Sequence, residues 1–207
     1  MSQVTLIGPP QSSYVRTARI CCLEKGVSHT LEPAPQKSDE HRSLHPWTRV
    51  PAFRHGDLQL FETSAICRYI DAAFDGPRLI PTDPRRAAVM EQWVSAINCY
   101  IYDHTIRRYA LQYIVPGLRG EAPNRAVIDE TVPLMQRDLQ LLDGAYAKGT
   151  WIAGDAVSLA DLFVAPIVAT ARMFPEAQSA LASCRHLTRA VDAFAARDSF
   201  AAVHAPA

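Results

Sequence analysis

The tract from Asp75 to Asp83 constrains the fold of this chain most strongly, because it places two prolines and a glycine within nine residues. Such a tract cannot sustain a helix or a strand. Patterns typical of both strands and helices come before it, whereas only helical patterns follow it. The sequence therefore predicts three parts, which are a mixed α/β domain at residues 1–75, a linker at 76–83 and an all-helical domain at 84–207.

Short apolar runs alternate with helical periodicity before the linker. They predict the order strand, helix, strand, helix, strand, strand, helix, at residues 4–7, 12–25, 30–32, 39–44, 51–55, 58–61 and 63–74. Gly56 and Asp57 join the last two strands and are typical of a tight antiparallel hairpin. A right-handed crossover makes the first two strands parallel neighbours. The predicted domain is an α/β sheet with helices on its faces.

The residues after the linker predict helices only. Asp83 followed by Pro84 is a typical helix start, and this first helix is expected to continue to the break at Pro116. Further helices are expected at about residues 124–148 and 158–174, with shorter ones between 177 and 203. Ser158 and Asp161 have the spacing of a capping box, so we expect them to stabilise a helix start and to have no chemical role.

The charge balance argues against two classes of partner. The chain has 21 basic and 21 acidic residues. Proteins whose main partner is a nucleic acid or an anionic membrane surface need a basic excess, so neither partner is expected. No apolar run approaches the roughly 20 residues that a membrane-spanning helix needs, and the N-terminus lacks the pattern of a signal peptide. We therefore expect a cytoplasmic protein.

The cysteines and histidines do not have the spacing of a metal site. The count of five cysteines is odd, Cys21 and Cys22 are adjacent, and no C-x-x-C pair occurs, so disulfides are not expected. His41 and His45 share one helical face, but no carboxylate or cysteine stands near them at ligand spacing. We interpret these two residues as surface histidines. No metal cofactor is predicted.

Four local motifs occur in an order and spacing that match one protein family. They are Ser12-Ser13-Tyr14-Val15-Arg16, His45-Pro46 with Val50-Pro51-Ala52-Phe53, Leu60-Phe61-Glu62-Thr63, and Trp151-Ile152-Ala153-Gly154-Asp155 with Ser158-Leu159-Ala160-Asp161. With these motifs the chain resembles the cytosolic glutathione transferases, in particular their serine-type bacterial and plant-like members. The resemblance covers nearly the whole chain. It implies a thioredoxin-like N-terminal domain, an all-helical C-terminal domain, glutathione as co-substrate, a role in detoxification, and a homodimer.

The resemblance implies that a hydroxyl at the start of the first helix stabilises the glutathione thiolate. A thiolate is required because a free thiol, with a pKa of about 8.5, is mostly protonated at neutral pH. The N-terminus of a helix offers free N–H groups and the positive end of the helix dipole. Ser12 stands where serine-type members carry the hydroxyl, and Ser13 remains the alternative. Tyr14 is a third hydroxyl close by.

Two further motifs are expected to bind glutathione. In the family, the proline that corresponds to Pro51 is cis, and the backbone of the residue that corresponds to Val50 faces the cysteine part of glutathione. Glu62 would pair with the ammonium group of the γ-glutamyl end, while the hydroxyl of Thr63 and nearby helix N–H groups would bind the carboxylate of that end. A plain capping pair is the alternative for Glu62 and Thr63.

The glycyl carboxylate at the other end of glutathione needs a cation. Gln36 and Lys37 stand where plant-type members carry a histidine-lysine pair, and Arg49 stands where those members carry a glutamine. Lys37 is the first choice among these three residues. Solvated polar residues without a role are the alternative.

The electrophile is expected to bind between the sheet domain and the first long helix of the second half. Tyr100, His104 and Arg107 or Arg108 share a face of that helix. Aromatic groups with a few polar tips suit an apolar acceptor, and Tyr14 is assigned to the same site. The alternative is a dimer or domain interface, in which tyrosine and arginine are also enriched.

The resemblance implies a glutathione transferase. Its bound glutathione thiolate would attack a small hydrophobic electrophile or reduce an organic peroxide. Two alternatives remain open. One is a maleylacetoacetate isomerase-like enzyme, although Tyr14 stands where that branch carries a cysteine. The other is a non-catalytic binding or regulatory protein of the same family. Such proteins often lose the glutathione contacts, whereas this sequence keeps Ser12, Val50-Pro51 and Glu62-Thr63 together.

Overall fold

The computed structural model describes residues 3–35 and 38–204 of the chain, and the chain forms two compact units. The first, here called the sheet unit, comprises the described residues up to Ile80 together with residues 197–204. The second, the helical unit, is Pro81–Ala196. The predicted helical domain begins at residue 84 and includes all residues after it, whereas in the structure residues 197–204 belong to the sheet unit.

The sheet unit is built around a four-stranded sheet. Its elements up to Ile80 are β1 Val4–Ile7, α1 Ser13–Glu24, β2 His29–Glu32, α2 Asp39–Leu44, β3 Ala52–His55, β4 Leu58–Phe61 and α3 Thr63–Ala73. The strands lie in the order β2-β1-β3-β4. β1 and β2 are parallel, and β3 is antiparallel to both β1 and β4. The predicted α/β sheet with an antiparallel hairpin is confirmed.

Apolar side chains from strands and helices form the core of this unit. Leu6 of β1 and Phe53 of β3 are fully buried, and so are Ile20 of α1 and Ile66 of α3. The helices α1 and α3 pack against each other. Burial of each side chain of this size contributes about 1.5–3 kcal/mol, so this core holds the ends of β1 and β3 in place.

Asp71 of α3 anchors the linker. Its carboxylate accepts hydrogen bonds from the backbone N–H groups of Leu79 at 2.8 Å and Ile80 at 3.3 Å. It also pairs with the Lys25 ammonium at 3.2 Å, with both side chains buried. The same ammonium donates to the backbone carbonyl of Gly76. A buried ion pair is stable only when further hydrogen bonds satisfy its members, and here the backbone of the linker provides them.

The helical unit contains six α-helices and two π-helical segments in the part of the chain described. They are α4 Pro84–Ala96, π1 Ile97–Ile101, π2 Asp103–Ala110, α5 Leu111–Gly117, α6 Arg125–Tyr146, α7 Leu159–Ala171, α8 Pro175–Leu181 and α9 Arg185–Ala195. The predicted long first helix is present, but its middle has the wider π winding, which no local residue pattern indicates. Among the described residues, no helix has both the length and the apolar character needed to cross a membrane.

The helix α7 begins with the predicted capping box, and this prediction is confirmed. Oδ2 of Asp161 accepts hydrogen bonds from the backbone N–H and the hydroxyl of Ser158, both at 2.8 Å. Oδ1 accepts from the backbone N–H of Ile152 at 3.1 Å and from the hydroxyl of Tyr146 at 2.9 Å. Ser158 and Asp161 are both buried. The carboxylate therefore joins three segments of the helical unit.

The last helix, α10 (Asp198–His204), packs against α1 in the sheet unit. Arg197, just before it, donates two hydrogen bonds to the Glu24 carboxylate, at 2.8 and 2.6 Å. The hydroxyl of Ser199 donates to the same carboxylate. These contacts join residues that lie far apart in the chain, so local sequence patterns do not predict them, and they explain why this segment belongs to the sheet unit.

Candidate functional site

The turn after β1 brings two predicted site segments close together. Gly8 has a φ of +152°, and its N–H donates to the carbonyl of Glu32 at 2.9 Å. A Cβ atom at Gly8 would lie 2.6 Å from Cγ2 of Val15 in α1 and 3.0 Å from Cβ of Val50. Only glycine fits there, so its missing side chain allows the start of α1 to approach the loop that carries Val50.

Ser12 and Ser13 have different surroundings at the start of α1. Ser12 is the N-cap and is half-buried, and its hydroxyl accepts from the Val15 N–H at 3.5 Å, a long distance for a hydrogen bond. Ser13 is the first helical residue and is only 5% exposed. Of the two hydroxyls, that of Ser12 is the more accessible to a ligand. Tyr14 is half-buried.

Arg16 adds positive charge one turn into α1. Its Nε donates to the carbonyl of Pro10 at 3.2 Å, which holds the guanidinium close to the loop before the helix. Burial, and secondarily the charge of Arg19, lowers the pKa of Arg16 from its ordinary value. The guanidinium remains charged at any physiological pH because arginine titrates so far above neutrality.

The peptide bond between Val50 and Pro51 is cis, as the family resemblance implies. Just before it, Thr48 has a φ of +49°. Arg49 is exposed, and its backbone carbonyl lies 3.1 Å from Nε2 of the buried His41. This contact attaches the loop to α2 at the residue just before Val50.

Glu62 and Thr63 form the start of α3. Glu62 has a φ of +68°, which is uncommon for a residue with a side chain and is often found where the backbone serves a ligand site. Its side chain is 62% exposed and makes no capping hydrogen bond. Thr63 is the first helical residue and is buried. This arrangement leaves the carboxylate of Glu62 available to a cation.

A groove of about 1000 Å³ lies in the sheet unit, next to the turn after β1 and to Thr48 of the loop before Pro51, and its lining does not include Ser12, Glu62 or Thr63. It is lined by Gly8, Pro9, Pro10, Leu31, Glu32, Pro33, Ala34, Pro35, His41 and Thr48. A cavity of this size accommodates a ligand as large as a tripeptide. Gln36 and Lys37, the residues predicted to bind the glycyl carboxylate, lie outside the described residues.

The residues predicted to bind the electrophile lie mainly on π1 and π2 of the helical unit. Tyr100 is 63% exposed. The other three side chains contact carboxylates of the same unit, His104 with Asp138 at 2.7 Å, Arg107 with Asp103 at 2.9 Å, and Arg108 with Glu130 at 2.7 Å. Arg107 also lies over the ring of Tyr102, 5.8 Å from its centroid. These carboxylates limit the rotamers available to the three cationic or titratable side chains.

Comparison with known proteins assigns this arrangement to a family. The model of the glutathione S-transferase N-terminal domain matches residues 6–78, and that of the glutathione S-transferase C-terminal domain matches residues 104–198. A probable glutathione S-transferase GSTF1 of Oryza sativa subsp. japonica is 31% identical over 171 residues, which are 78% of each chain. The chain belongs to the glutathione S-transferase family.

Two other members of the glutathione S-transferase family match the chain closely. Glutathione S-transferase F13 of Arabidopsis thaliana is 32% identical over 171 residues, 78% of this chain and 77% of the relative. The crystal structure of glutathione transferase F7 from Populus trichocarpa superposes with a TM-score of 0.86 and 28% identity and covers 97% of each chain. The match to this structure extends over both units.

The interpretation of His41 and His45 as surface residues is wrong, because both side chains are buried. His41 is 5% exposed and His45 is 3% exposed. Nε2 of His41 contacts the carbonyl of Arg49, whereas Nε2 of His45 lies 3.9 Å from Oε1 of Glu62. Their spacing places them on the same side of α2 as Leu44, which is also buried, and that apolar neighbour is the sequence signal that indicates their burial. In the described residues, no group of three or more His, Cys, Asp or Glu side chains is arranged to hold a metal ion.

Proposed function

We propose that this protein holds the thiolate of glutathione at the start of α1 through the hydroxyl of Ser12. The protein is a glutathione transferase, with glutathione as its co-substrate. The half-buried hydroxyl of Ser12, loosely bonded at the N-terminus of a 12-residue helix, is the observation that carries this proposal. Ser13 remains the second candidate, and its burial makes it the less favoured of the two.

The proposed chemistry depends on the negative charge of the glutathione sulfur, which the hydroxyl of Ser12 would stabilise. When glutathione loses its thiol proton, the sulfur anion accepts a hydrogen bond from Ser12 and lies at the positive end of the α1 dipole. Both interactions lower the pKa of the thiol, so more of the bound glutathione is ionised at neutral pH. The thiolate then forms a bond to the electrophilic carbon while the leaving group departs with the electron pair of the broken bond.

The remaining parts of glutathione are assigned to the other segments of the sheet unit. The backbone of Val50, next to Pro51, would bind the cysteinyl part. Glu62 would pair with the γ-glutamyl ammonium, and Thr63 at the start of α3 would bind the carboxylate of the same end. The exposure of Glu62 and its unused capping position support this assignment.

The glycyl carboxylate would be bound by a cation close to the groove. Lys37 is the first choice, with Gln36 and Arg49 as the other two residues proposed for this end. The exposure of Arg49, and the loop attachment through its carbonyl, support a side chain that is available to a ligand.

For the electrophile we keep the predicted set of Tyr14, Tyr100, His104, Arg107 and Arg108. The exposed ring of Tyr100 supports an aromatic contact with an apolar substrate. Reduction of an organic peroxide is a second proposed activity: the thiolate sulfur takes one peroxide oxygen as the O–O bond breaks and an alcohol leaves, and a second glutathione then reduces the sulfenic acid to glutathione disulfide and water. A turnover screen with an aryl halide, an epoxide, an isothiocyanate and a hydroperoxide identifies which class this protein accepts.

The thiolate proposal is tested by titrating bound glutathione and following the ultraviolet absorbance of its thiolate. Ser12→Ala is expected to raise the pKa of the bound thiol and to slow conjugation, while the affinity for glutathione stays nearly unchanged. Ser13→Ala is the matched control and is expected to leave the titration where it is. A shift with Ser13→Ala alone would transfer the role to Ser13, and no shift with either variant would refute a serine as the thiolate donor.

The proposed assembly is a homodimer that acts in cytoplasmic detoxification. Trp47 of the sheet unit is 66% exposed and packs edge-on against Phe61, with ring centroids 5.9 Å apart. Exposed aromatic surface of this kind is typical of a protein interface. Trp47→Ala is expected to shift the protein toward monomers in sedimentation velocity, and an unchanged dimer would exclude this surface as the dimer interface.

The free cysteines of the described residues support the proposed cytoplasmic location, which is a reducing compartment.

A further inference from the structure

Glu62 carries the negative charge proposed to bind the ammonium group of glutathione. Its neighbours in the chain fix its backbone but do little to orient its side chain. The backbone of Glu62 is defined by its φ of +68°, and its carbonyl accepts from the Ile66 N–H at 3.0 Å. The side chain itself is 62% exposed and makes no capping hydrogen bond. A long, exposed carboxylate has many rotamers, and fixing one of them costs entropy when a ligand binds.

His45 is the ionisable group placed to orient that carboxylate. Its Nε2 lies 3.9 Å from Oε1 of Glu62, and its side chain is 3% exposed. The imidazole packs against the ring of Phe61 at 5.1 Å and that of Trp47 at 6.2 Å between centroids. Packing therefore determines the direction of Nε2. The other nitrogen, Nδ1, is buried and has no hydrogen-bond partner among the described residues.

The charge state of His45 follows from its surroundings. Burial lowers the pKa of His45 from its ordinary value, and the charge of Glu62 partly opposes that shift. His41 in α2 and Arg49 in the following loop lower the pKa further. The imidazole is therefore neutral at neutral pH, and it becomes a cation only in acidic solution.

We propose that His45 is a positioning residue for Glu62. Its neutral imidazole holds the Glu62 carboxylate toward the γ-glutamyl ammonium of glutathione, and protonation of the imidazole cancels the charge that the ammonium needs. This inference rests on the proposed function, because it assumes that Glu62 binds the ammonium. Binding of the γ-glutamyl ammonium is thereby coupled to the protonation state of His45.

The geometry distinguishes this role from simple packing. The 3.9 Å between Nε2 of His45 and Oε1 of Glu62 is too long for a hydrogen bond, so a neutral ring acts on the carboxylate through the dipole of its Nε2–H group, whereas a protonated ring would act through a full charge. A neutral ring with Nε2–H toward the carboxylate leaves the full negative charge of Glu62 for the ligand. An imidazolium at the same distance would form an ion pair with Glu62 and compete with the ammonium.

The first test compares two ligands by calorimetry at about pH 7.5, where the imidazole is neutral. One ligand is glutathione, and the other is glutaryl-cysteinyl-glycine, which lacks only the γ-glutamyl amino group. His45→Phe is expected to weaken glutathione binding about fivefold while changing the affinity for the deamino peptide by less than about twofold. Equal weakening of both ligands would show that His45 only supports packing and would overturn the proposal.

The second test follows the affinity for glutathione from about pH 7.5 to about pH 5. The wild-type protein is expected to bind more weakly as the pH falls through the lowered pKa of His45. His45→Gln keeps an N–H near the position of Nε2 but cannot take up a proton, so its affinity at about pH 7.5 should approach that of the wild type and its pH dependence should be flatter. A His45→Gln profile identical to the wild-type profile would refute the coupling.

His55→Phe provides the matched control for loss of a partly buried histidine in the same unit. Nδ1 of His55 contacts the hydroxyl of Tyr69 at 2.7 Å, in β3 and α3, and this variant should preserve both the ligand discrimination and the pH profile. If wild-type protein binds neither peptide, the proposed function itself fails. Normal binding of both peptides without the predicted discrimination overturns only the role of His45.

Discussion

The helices α1 and α7 both begin at a serine, but the two serines meet opposite conditions. Ser158 at the start of α7 is fully buried, and its backbone N–H and hydroxyl both donate to Asp161 at 2.8 Å. Ser12 at the start of α1 is half-buried, and its hydroxyl lies 3.5 Å from the Val15 N–H, whereas its backbone N–H donates to the carbonyl of Pro9 at 3.1 Å. Each helix lies in its own unit, and each start has the same residue type at the cap.

The difference shows that a capping serine can serve folding or ligand binding, depending on how completely its polar groups are satisfied. In α7 the donors and acceptors are paired inside the unit, so no capacity remains for a ligand. In α1 the hydroxyl of the capping serine makes only a long contact, which leaves it available to an anion at the positive end of the helix dipole. Substitutions at four helix starts test this contrast.

The largest effect is expected from Asp161→Ala. This change leaves four donors without an acceptor in the interior, the hydroxyl of Tyr146, the N–H of Ile152, and the N–H and hydroxyl of Ser158. The free energy of unfolding should fall by about 3 kcal/mol or more, because buried unsatisfied donors carry their full desolvation cost. Urea denaturation measures it. Asp83→Ala, which removes the exposed cap of α4, should cost only about 1 kcal/mol. Equal losses would contradict the contrast.

The next effect is expected on activity and not on stability. Ser12→Ala should reduce the rate of conjugation about 100-fold, the usual result of removing one hydrogen-bond donor to a developing or bound anion. Its free energy of unfolding should change by less than about 1 kcal/mol, because the capping contact is long. Steady-state kinetics and urea denaturation of the same preparation measure both quantities. A stability loss as large as that of Asp161→Ala would show that Ser12 is a structural cap.

The start of α8 has a carboxylate whose contribution to stability depends on pH. Glu176 lies in the first turn of α8. Burial opposes its ionisation, but hydrogen bonds from Arg125, Tyr113 and Tyr109 outweigh burial and lower the pKa of Glu176 to about 2. A carboxylate whose pKa is lowered on folding contributes its stability fully above the pKa of the unfolded chain, near 4.3, and loses that contribution as the pH falls toward 2.

Glu176→Gln should therefore lower the free energy of unfolding by about 2 kcal/mol at neutral pH, and the difference from wild type should shrink toward zero near pH 2. Thermal unfolding across this pH range checks the prediction. Glu130→Gln is the control, because the side chain of Glu130 is 70% exposed and should add little stability at any pH. A difference that stays constant with pH would mean that the charge of Glu176 contributes nothing.

The smallest effect is expected at the start of α3. Thr63→Ser keeps the hydroxyl, so the KM for glutathione should change by less than about twofold, while loss of one buried methyl group costs about 0.8 kcal/mol of stability. Thr63→Val keeps the shape and removes the hydroxyl, and it should raise the KM several-fold. If Thr63→Val leaves the KM unchanged, Thr63 is a packing residue. The start of α3 would then serve folding, as the start of α7 does, and not ligand binding.

Local patterns predicted much of the fold. The Gly56-Asp57 hairpin, the parallel pair of β1 and β2, and the capping box at Ser158 all depend on residues close together in the sequence or on a general rule of chain handedness. Local patterns did not predict the π winding of Ile97–Ile101 and Asp103–Ala110, because it does not follow from the type of any one residue. They also misplaced His41 and His45, because Leu44 was the only local signal of their burial and His45 packs against Phe61 of β4, which is distant in the sequence.

The sequence by itself determined the order of elements, the split near the proline-rich linker and the motifs that indicate the family. The tertiary structure decided which polar groups are satisfied and which are available. It paired Asp161 with four donors, placed His45 against Glu62, and attached the last helix to α1 through Glu24. Local propensity depends on neighbours in the chain, whereas the burial and pairing of a polar group depend on residues brought together only by folding.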